Sequence, residues 1–259
     1  MSSERAVYVV TGSAAGIGAA CVRRLAAAGA AVVVNYTTSE AEARAVATAC
    51  ADAGGEALLV RADVSDDAAC RSMADAALAR WGRIDGLVNN AGTTVFASHR
   101  DLDALDAAAF QRLYAVNVVG TYQMTRAVVP ALRARHGAVV NVSSMAGLTG
   151  EGSSIAYAAS KGALNTLTLS LARALAPEIR VNAVCPGLVE TRWTAAALGP
   201  EAAARRVAAW EAAAPLGRIL TPDDVADAVC WLLLRAPATT GEILQVDGGF
   251  HLGPAMRAR

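Results

Sequence analysis

Short apolar runs rich in β-branched residues alternate along this chain with longer, alanine-rich segments of helical spacing, and this alternation limits the possible folds more than any other feature. Strands are predicted at 6–10, 31–35, 57–61, 84–88, 138–142, 181–184 and 242–246. Helices are predicted at 17–28, 39–53, 66–81, 106–135, 155–176 and 222–235. Strands that are apolar on both faces and joined by helices form parallel sheets covered on both sides. The pattern therefore predicts a doubly wound α/β fold with a mostly seven-stranded parallel sheet.

The chain shows no proline-rich linker, internal repeat or break in composition, so we expect residues 1–259 to form one domain. Residues 187–215 differ, because strand patterning lapses there while Trp193 and Trp210 stand among alanines. Irregular segments of this kind often cover a binding site. We interpret 187–215 as a small lid over a site; an extra helix packed only for stability is the alternative.

Charge and composition argue against two classes of partner. The 23 basic side chains balance the 23 acidic ones and no basic run exceeds a pair, so the chain lacks the positive surface that nucleic acids require. No stretch offers the roughly 20 consecutive apolar residues of a membrane span. Five cysteines scattered without a C-x-x-C pair predict free thiols in a reducing, cytoplasmic compartment, with neither disulfides nor a metal site.

A glycine-rich turn follows the first predicted strand and leads into the first helix. Glycines without side chains allow a sharp turn and a close approach to a pyrophosphate, and the helix N-terminus offers free N–H groups to phosphate. Because the turn opens a βαβ unit, it indicates dinucleotide binding; tight-turn geometry alone is the alternative. The expected contacts are Gly12, Ser13, Gly16, Ile17 and Gly18.

The end of the second strand bears on which nicotinamide cofactor binds. An acid there would hold the ribose hydroxyls and repel a 2′-phosphate, but residues 35–39 contain none. Tyr36 and Thr37 are therefore expected to contact NADP(H). NAD(H) or dual use stays open, because neither the glycine turn nor this strand end carries Arg or Lys, while Glu40 and Glu42 open the next helix.

Asp63 and Val64, directly after the third strand, are expected to contact the adenine. The alternative for Asp63 is a cap at the entry of the next helix, together with Ser65.

One lysine stands among the 23 basic residues, and it lies four positions after a tyrosine. Residues four apart share one face of a helix, which brings Tyr157 and Lys161 together. A nearby ammonium favours the phenolate and is expected to lower the pKa of Tyr157, so that the phenol exchanges protons with a carbonyl or alcohol oxygen. A surface pair without chemistry is the alternative from these two residues alone.

Further motifs complete a family pattern. The glycine turn, the segment Asn89 to Gly92, Asn117, the pair Ser143 and Ser144, and Tyr157 with Lys161 follow one another in a fixed order. With them, the chain resembles the short-chain dehydrogenase/reductase family from about residue 6 to residue 250. The resemblance implies a single Rossmann-type domain and an NAD(P)(H)-dependent oxidoreductase.

The resemblance also implies a role for each matching residue. Tyr157 would be the general acid/base, Lys161 its pKa modifier and a ribose ligand, Ser144 the hydrogen-bond donor to the reacting oxygen, and Asn117 the holder of a water in a proton relay. Ser143 sits one place off the family spacing. The further cofactor-binding residues implied are Asn90, Ala91, Gly92, Pro186, Gly187 and Thr191.

Within the family, the chain is most similar to the 3-oxoacyl-acyl-carrier-protein reductase branch, through 32–39 and 241–249. Docking of an acidic carrier protein in that branch uses two basic positions; Arg135 fits one, and Arg180 is an uncertain substitute for the other. The substrate is expected to be a small to medium ketone or secondary alcohol, including a 3-oxoacyl thioester. NAD-dependent alcohol, sugar or steroid oxidation is the alternative, and a non-catalytic dinucleotide-binding protein is a remote one.

Assembly is a separate expectation. Leu164, Leu167, Leu169, Leu171 and Leu175 occupy more than one face of the helix 155–176, which is more apolar surface than a sheet alone covers. This helix is expected to pack against a second subunit, and the resemblance suggests a homotetramer.

Overall fold

A computed structural model of the chain describes residues 5–190 and 199–255. Within them, seven strands form one parallel sheet in the order β3-β2-β1-β4-β5-β6-β7. The strands are β1 (Val7–Val10), β2 (Ala31–Tyr36), β3 (Glu56–Arg61), β4 (Gly86–Asn89), β5 (Ala138–Val142), β6 (Arg180–Pro186) and β7 (Ile243–Val246). The doubly wound parallel sheet predicted from the sequence is confirmed.

Helices cover both faces of the sheet. They are α1 (Gly16–Ala27), α2 (Glu40–Asp52), α3 (Asp67–Trp81), α4 (Ala107–Tyr114), α5 (Thr121–Arg133), α6 (Ala146–Thr149), α7 (Ile155–Leu175), α8 (Pro200–Ala213) and α9 (Pro222–Leu234). One buried apolar cluster joins the sheet to α1, α2 and α9, and a second joins it to α3, α5 and α7. Among the described helices, none has the length and apolarity to cross a membrane.

The alternation of side chains along each strand explains the two clusters. Val9 and Val33 belong to the cluster under α3, α5 and α7, whereas Val10, Val32 and Val34 belong to the cluster on the opposite face. Successive residues of a strand point to opposite faces, so a strand buried on both sides needs an unbroken apolar run. This requirement is why the β-branched runs in the sequence located the strands.

The helical region expected at 106–135 is not one regular helix. A π-helical segment, Ala115–Gly120, separates α4 from α5. Gly120 packs against Val64 so closely that an added Cβ would lie 2.8 Å from Val64 Cγ2. The Thr121 hydroxyl donates to the Asn117 carbonyl at 3.1 Å, and such back-bonding perturbs regular helices. π-Helical segments are frequent at functional sites, and this one carries Asn117.

Most of the α7 leucines are covered within the single chain, so the expected excess of apolar surface is small, while packing of α7 against a second subunit stays a prediction. Leu164, Leu171 and Leu175 are buried within the chain itself, and Leu167 packs against the buried cluster. Leu169 alone of the five is exposed. The single chain therefore covers most of the apolar surface that had been assigned to a subunit contact.

The order of the strands sets the position of the site. The chain moves outward from β1 in opposite directions, through β2 on one side and β4 on the other. A crevice forms outside the carboxyl ends of the strands at such a reversal. The glycine turn follows β1 and the Asn90–Gly92 segment follows β4, so both border this crevice.

Candidate active site

A cleft of about 1490 Å³ runs along the carboxyl edge of the sheet. Sites for one small ligand span about 300–1,000 Å³, so this cleft has room for a dinucleotide and a second molecule. The predicted residues that line it are Gly12, Gly16, Ile17, Tyr36, Thr37, Asp63, Val64, Asn90, Ala91, Gly92, Ser144, Tyr157, Lys161, Pro186 and Gly187. Thr191 and Trp193 lie outside the described residues.

Ser13 and Gly18 were expected to contact the cofactor, but neither lines the cleft. The Ser13 hydroxyl is buried, donates to the Val10 carbonyl at 2.8 Å and accepts from the Asn35 backbone N–H at 2.9 Å. A Cβ on Gly18 would lie 2.5 Å from Asn90 Nδ2 and 2.7 Å from the Gly12 carbonyl oxygen. These two residues stabilise the conformation of the glycine turn through contacts on its buried side and do not face the cleft.

Asn35 is a residue whose importance the sequence did not reveal. Its side-chain oxygen accepts from the Gly12 N–H at 2.9 Å, and its amide nitrogen donates to the carbonyls of Val60 and Ala62 at 3.3 and 3.0 Å. One buried side chain thus ties the glycine turn to β2 and β3. The sequence feature that could have identified this role is a single asparagine at the end of an otherwise apolar strand.

The turn leaves the start of α1 open to an anion. Gly12 adopts a φ of +61°, a left-handed conformation that favours glycine. Ala15 precedes α1 without a side-chain cap, and the first turn of α1 contains no acid. Free N–H groups and the positive end of the helix dipole therefore face the cleft, as phosphate binding requires.

A cation that sequence inspection missed lies next to Thr37, a residue of the cleft lining. Arg61, the last residue of β3, pairs in register with Tyr36, and its Nε donates to the Thr37 carbonyl at 3.0 Å. Arg61 is exposed. Because β3 is a neighbour of β2 in space but 25 residues distant in the chain, no local motif announces the contact.

Asp63 lines the cleft, and its carboxylate also accepts hydrogen bonds from Ser65. Its Oδ1 accepts from the Ser65 N–H at 2.9 Å and from the Ser65 hydroxyl at 2.7 Å. The cap of α3 is a different residue, Asp66, whose carboxylate accepts from Ala68 and Ala69. Asp63 therefore shapes the turn that enters α3 while its side chain borders the cleft.

Tyr157 lies in the first turn of α7, opposite the glycine turn across the cleft. Ser154 caps this helix by accepting a hydrogen bond from the Tyr157 N–H at 3.2 Å, which fixes the start of the helix. Both serines line the cleft, but the buried Ser143 hydroxyl donates to the Lys161 carbonyl at 3.3 Å, whereas the Ser144 side chain hydrogen-bonds Tyr157. Of the two serines, the structure brings Ser144 to Tyr157.

The expected lowering of the pKa of Tyr157 by Lys161 is not what the chain alone shows. Burial raises the pKa of the phenol, and the side-chain hydrogen bond with Ser144 opposes that increase. Lys161 Nζ stands 5.8 Å from the centre of the Tyr157 ring, so the pair is close as expected. Desolvation outweighs the hydrogen bond from Ser144, because removing a phenolate from water is costly.

Lys161 is itself a buried cation. Its side chain is 5% exposed, and Nζ donates to the Val142 carbonyl at 2.9 Å. Burial lowers the pKa of Lys161 from its usual 10.5 to about 8. An ammonium kept in such surroundings costs folding free energy, which indicates a requirement for positive charge at this point of the cleft.

Asn117 lies behind the cleft wall. Its side-chain oxygen accepts from the Thr93 N–H at 2.8 Å, and its amide donates to the Thr93 carbonyl and the Ser160 hydroxyl, both at 3.0 Å. A Cβ on Gly92 would lie 3.3 Å from Asn117 Oδ1 and 3.8 Å from Lys161 Nζ. Asn117 therefore joins the loop after β4 to α7 near the lysine.

The lid region supplies an aromatic wall. Trp210 on α8 stacks on Phe250 with ring centres 3.7 Å apart. A Cβ on Gly187 would lie 2.4 Å from a carbon of the Trp210 ring, so only glycine fits there. Residue 187 follows Pro186, whose carbonyl accepts from Met145 N–H at 3.0 Å, next to Ser144. The wall thus lies beside the residues that the sequence marked as reactive.

The two basic residues considered for carrier-protein docking already have partners. Arg135 Nε lies 3.3 Å from Asp85 Oδ1. The Arg180 guanidinium donates to the carbonyls of Leu232, Leu233 and Ala236 at 2.7 to 2.9 Å, at the C-terminal end of α9. Arg180 therefore stabilises a helix end and is not a free surface cation.

Comparisons with known proteins agree with one another. A family model described as "Enoyl-(Acyl carrier protein) reductase" matches residues 12–251. The chain is 46% identical to "Granaticin polyketide synthase putative ketoacyl reductase 2" of Streptomyces violaceoruber, covering 96% of this chain and 97% of that protein. It is 40% identical to cis-4-hydroxycyclohexanecarboxylate dehydrogenase of Sinomonas cyclohexanicum, covering 94% and 96%. A crystal structure described as a "putative short-chain dehydrogenase/reductase from Burkholderia xenovorans" matches with a TM-score of 0.90 at 46% identity, covering 97% and 100%.

Replacing Lys161 should show how much the buried ammonium lowers the free energy of unfolding. Because the folded-state pKa of Lys161 lies near 8 and its usual value is 10.5, the unfolded chain binds this proton more tightly. Stability should therefore be lowest below about pH 8 and rise towards pH 10.5. Lys161→Met removes the cost of burying the charge and also loses the hydrogen bond to the Val142 carbonyl. Because the first effect is larger, we expect the substitution to raise the free energy of unfolding at pH 7 by roughly 1–2 kcal/mol.

Urea unfolding of the cofactor-free protein at pH 7 and pH 9.5 measures this difference. Arg173→Met, an exposed cation on the same helix, is the control and should change little. A Lys161→Met variant less stable than the parent at pH 7 would mean that the ammonium has net stabilising contacts.

Proposed function

Because the chain belongs to the short-chain dehydrogenase/reductase family, we propose that it is an NADP(H)-dependent reductase of small to medium ketones that yields secondary alcohols. The observation that carries this proposal is the convergence of Tyr157, Ser144 and Lys161 on one cleft whose other end is an uncapped, glycine-rich helix start. The reaction consumes one ketone, one hydride from the cofactor and one proton.

The residues of the chain divide the work of the reaction. The nicotinamide, when bound, supplies the hydride. Ser144 donates a hydrogen bond to the substrate oxygen, which gains negative charge as the hydride arrives. Tyr157 gives that oxygen its proton. Lys161 places a positive charge behind the phenol and compensates the phenolate that remains.

The neutral phenol of Tyr157 fits the proton-donor role that reduction requires. A phenol with a raised pKa carries its proton at neutral pH, which is the form needed to protonate an alkoxide. Alcohol oxidation needs the opposite form, a phenolate that accepts a proton. The chain alone therefore favours proton donation.

Contacts at the adenosine end support NADP(H). Tyr36 and Thr37 stand where an acid would repel a 2′-phosphate, and Arg61 places a guanidinium against the Thr37 carbonyl. Glu40, the nearest acid at the start of α2, is paired with Arg44 at 2.5 Å. The local charge thus suits a phosphate.

A second candidate function is NAD-dependent oxidation of a secondary alcohol. The two acids at the start of α2, Glu40 and Glu42, favour a cofactor without a 2′-phosphate. A relative named as a dehydrogenase of a hydroxycyclohexanecarboxylate supports a cyclic alcohol as its substrate. The cofactor titration below separates the two candidates.

A 3-oxoacyl thioester falls within the proposed substrate class, and the ketoacyl reductase name of one relative supports it. We nevertheless propose a free small molecule, because Arg135 and Arg180 are engaged with Asp85 and the end of α9. We also propose a cytoplasmic location, which the five free thiols support, four of them buried.

We propose a homotetramer. Phe110 on α4, Tyr122 on α5 and Leu169 on α7 are exposed apolar side chains, and Trp231 and Leu234 on α9 form a separate exposed set. Since α5 and α7 cover one face of the sheet and α9 the other, these exposed side chains suit the two kinds of two-fold contact in a tetramer with D2 symmetry.

Tyr157→Phe tests the proposed chemistry. Loss of the proton donor should lower kcat for ketone reduction about 100- to 10,000-fold while NADPH still binds, since only the hydroxyl is removed. The loss of NADPH absorbance over a ketone panel measures kcat, and calorimetry measures binding. Tyr114→Phe, outside the cleft lining, should behave like the parent. Unchanged turnover in Tyr157→Phe would contradict the proposal.

Arg61→Gln and Tyr36→Asp test the choice of cofactor. Arg61→Gln removes a positive charge beside Thr37, and Tyr36→Asp adds a negative charge there. Each should therefore weaken binding of the 2′-phosphate of NADPH by about tenfold or more and change NADH binding little. Parallel calorimetric titrations with both cofactors give the two Kd values. Arg71→Gln, a cation on α3 paired with Asp67, is the control. A parent that binds NADH more tightly than NADPH would favour the second candidate.

Light scattering at micromolar concentration tests the assembly. We expect a mass close to four times the 26.4 kDa of one chain. Leu169→Glu should reduce that mass, because a carboxylate would be buried in the contact. A monomeric mass for the parent protein would refute the tetramer.

A further inference from the structure

The helix α8 presents one face to the cleft, and that face carries a single charge. Its cleft-lining residues are Ala203, Arg206, Val207, Ala209, Trp210 and Ala213. Most of these recur every three or four positions, which places them on one side of a helix. Arg206 is therefore an exposed cation at the cleft, on a helix face whose other cleft-lining side chains are apolar.

Within residues 5–190 and 199–255, Arg206 has no acidic partner. Its helix neighbour Arg205 lies 3.8 Å from Glu201, but among the described residues no carboxylate lies within 4.0 Å of the Arg206 guanidinium. Residues 191–198, which the structure does not describe, contain neither Asp nor Glu. Glu151 and Glu190 also line the cleft, yet neither pairs with Arg206.

Trp210 and Phe250 form an aromatic surface in the cleft wall, on the same side as Arg206. Trp210 packs against Gly187, close to Ser144, and Phe250 stacks on its other side. Arg206 lies one helical turn before Trp210, or roughly 6 Å along the axis. A substrate bound at Ser144 and Tyr157 would thus pass over the aromatic wall before it reaches the guanidinium.

We infer that Arg206 selects ketones that carry an anionic group, such as a carboxylate, joined to the reacting carbonyl by an apolar spacer. The inference rests on the proposed function and specifies its substrate class. A guanidinium binds a carboxylate through two parallel hydrogen bonds, which an amide cannot reproduce. The spacer would lie against Trp210 and Phe250.

Matched pairs of ketones test this inference: 5-oxohexanoate with 5-oxohexanamide, and 7-oxooctanoate with its amide. Each pair differs in charge and hardly in size. The parent enzyme should prefer one or both acids over their amides by about ten- to hundredfold in kcat/KM, as expected for a charge-assisted hydrogen bond. Arg206→Met should bring that ratio close to one, and Arg206→Lys should keep part of it. Arg205→Met, on the solvent side of the same helix, should keep the parent ratio.

Calorimetric binding of each acid and amide to the enzyme–NADP⁺ complex separates this inference from the proposed function. Amides reduced as well as acids by the parent, or an equal ratio in parent and Arg206→Met, would overturn the role of Arg206 and leave the reductase standing. Acid binding that needs Arg206 but gives no turnover with any ketone would support the anion site and overturn the reductase. Weaker NADPH binding in Arg206→Met with an unchanged acid preference would assign Arg206 to the cofactor and overturn the inference.

Discussion

A parallel sheet covered on both faces leaves one region where polar side chains can gather without facing the core, namely the edge at which the strands end. The carboxyl ends of four parallel strands, β1, β4, β5 and β6, lie at that edge. Helix N-termini lie beside it, and their unpaired N–H groups give it a positive character. The glycine turn, the catalytic candidates and the lid all depend on this constraint, because each follows directly from the end of a strand or the start of a helix.

The sequence predicted the parts of this arrangement that depend on local spacing. Tyr157 and Lys161 are one helical turn apart, and the glycines of the turn are adjacent in the chain, so periodicity and order were sufficient. Asn35 and Arg61 were missed because their roles depend on which strands are neighbours in space. Trp210 was noticed as a lid residue, but its partner Phe250 is 40 positions away in the chain. Contacts across strands or between distant segments leave no periodic signal.

The electrostatics of the site show where sequence reasoning about charge fails. Spacing alone suggested that an ammonium would lower the pKa of the phenol. In the structure, burial acts on both groups at once, raising the pKa of Tyr157 and lowering that of Lys161. Burial thus favours the neutral form of both groups, although a pKa of about 8 still leaves Lys161 mostly protonated at neutral pH.

The stacking of Trp210 on Phe250 couples two segments that are separate in the chain. Phe250 belongs to the short turn Phe250–Leu252 after β7, whereas Trp210 belongs to α8. Grafting a lid from a related enzyme onto this scaffold would pair a foreign ring, or none, with Phe250. Chimeras that exchange the lid and the carboxyl-terminal turn together would preserve the stack. In laboratory evolution, substitutions near residue 250 offer a route to new substrate ranges that leaves the helix of the lid untouched.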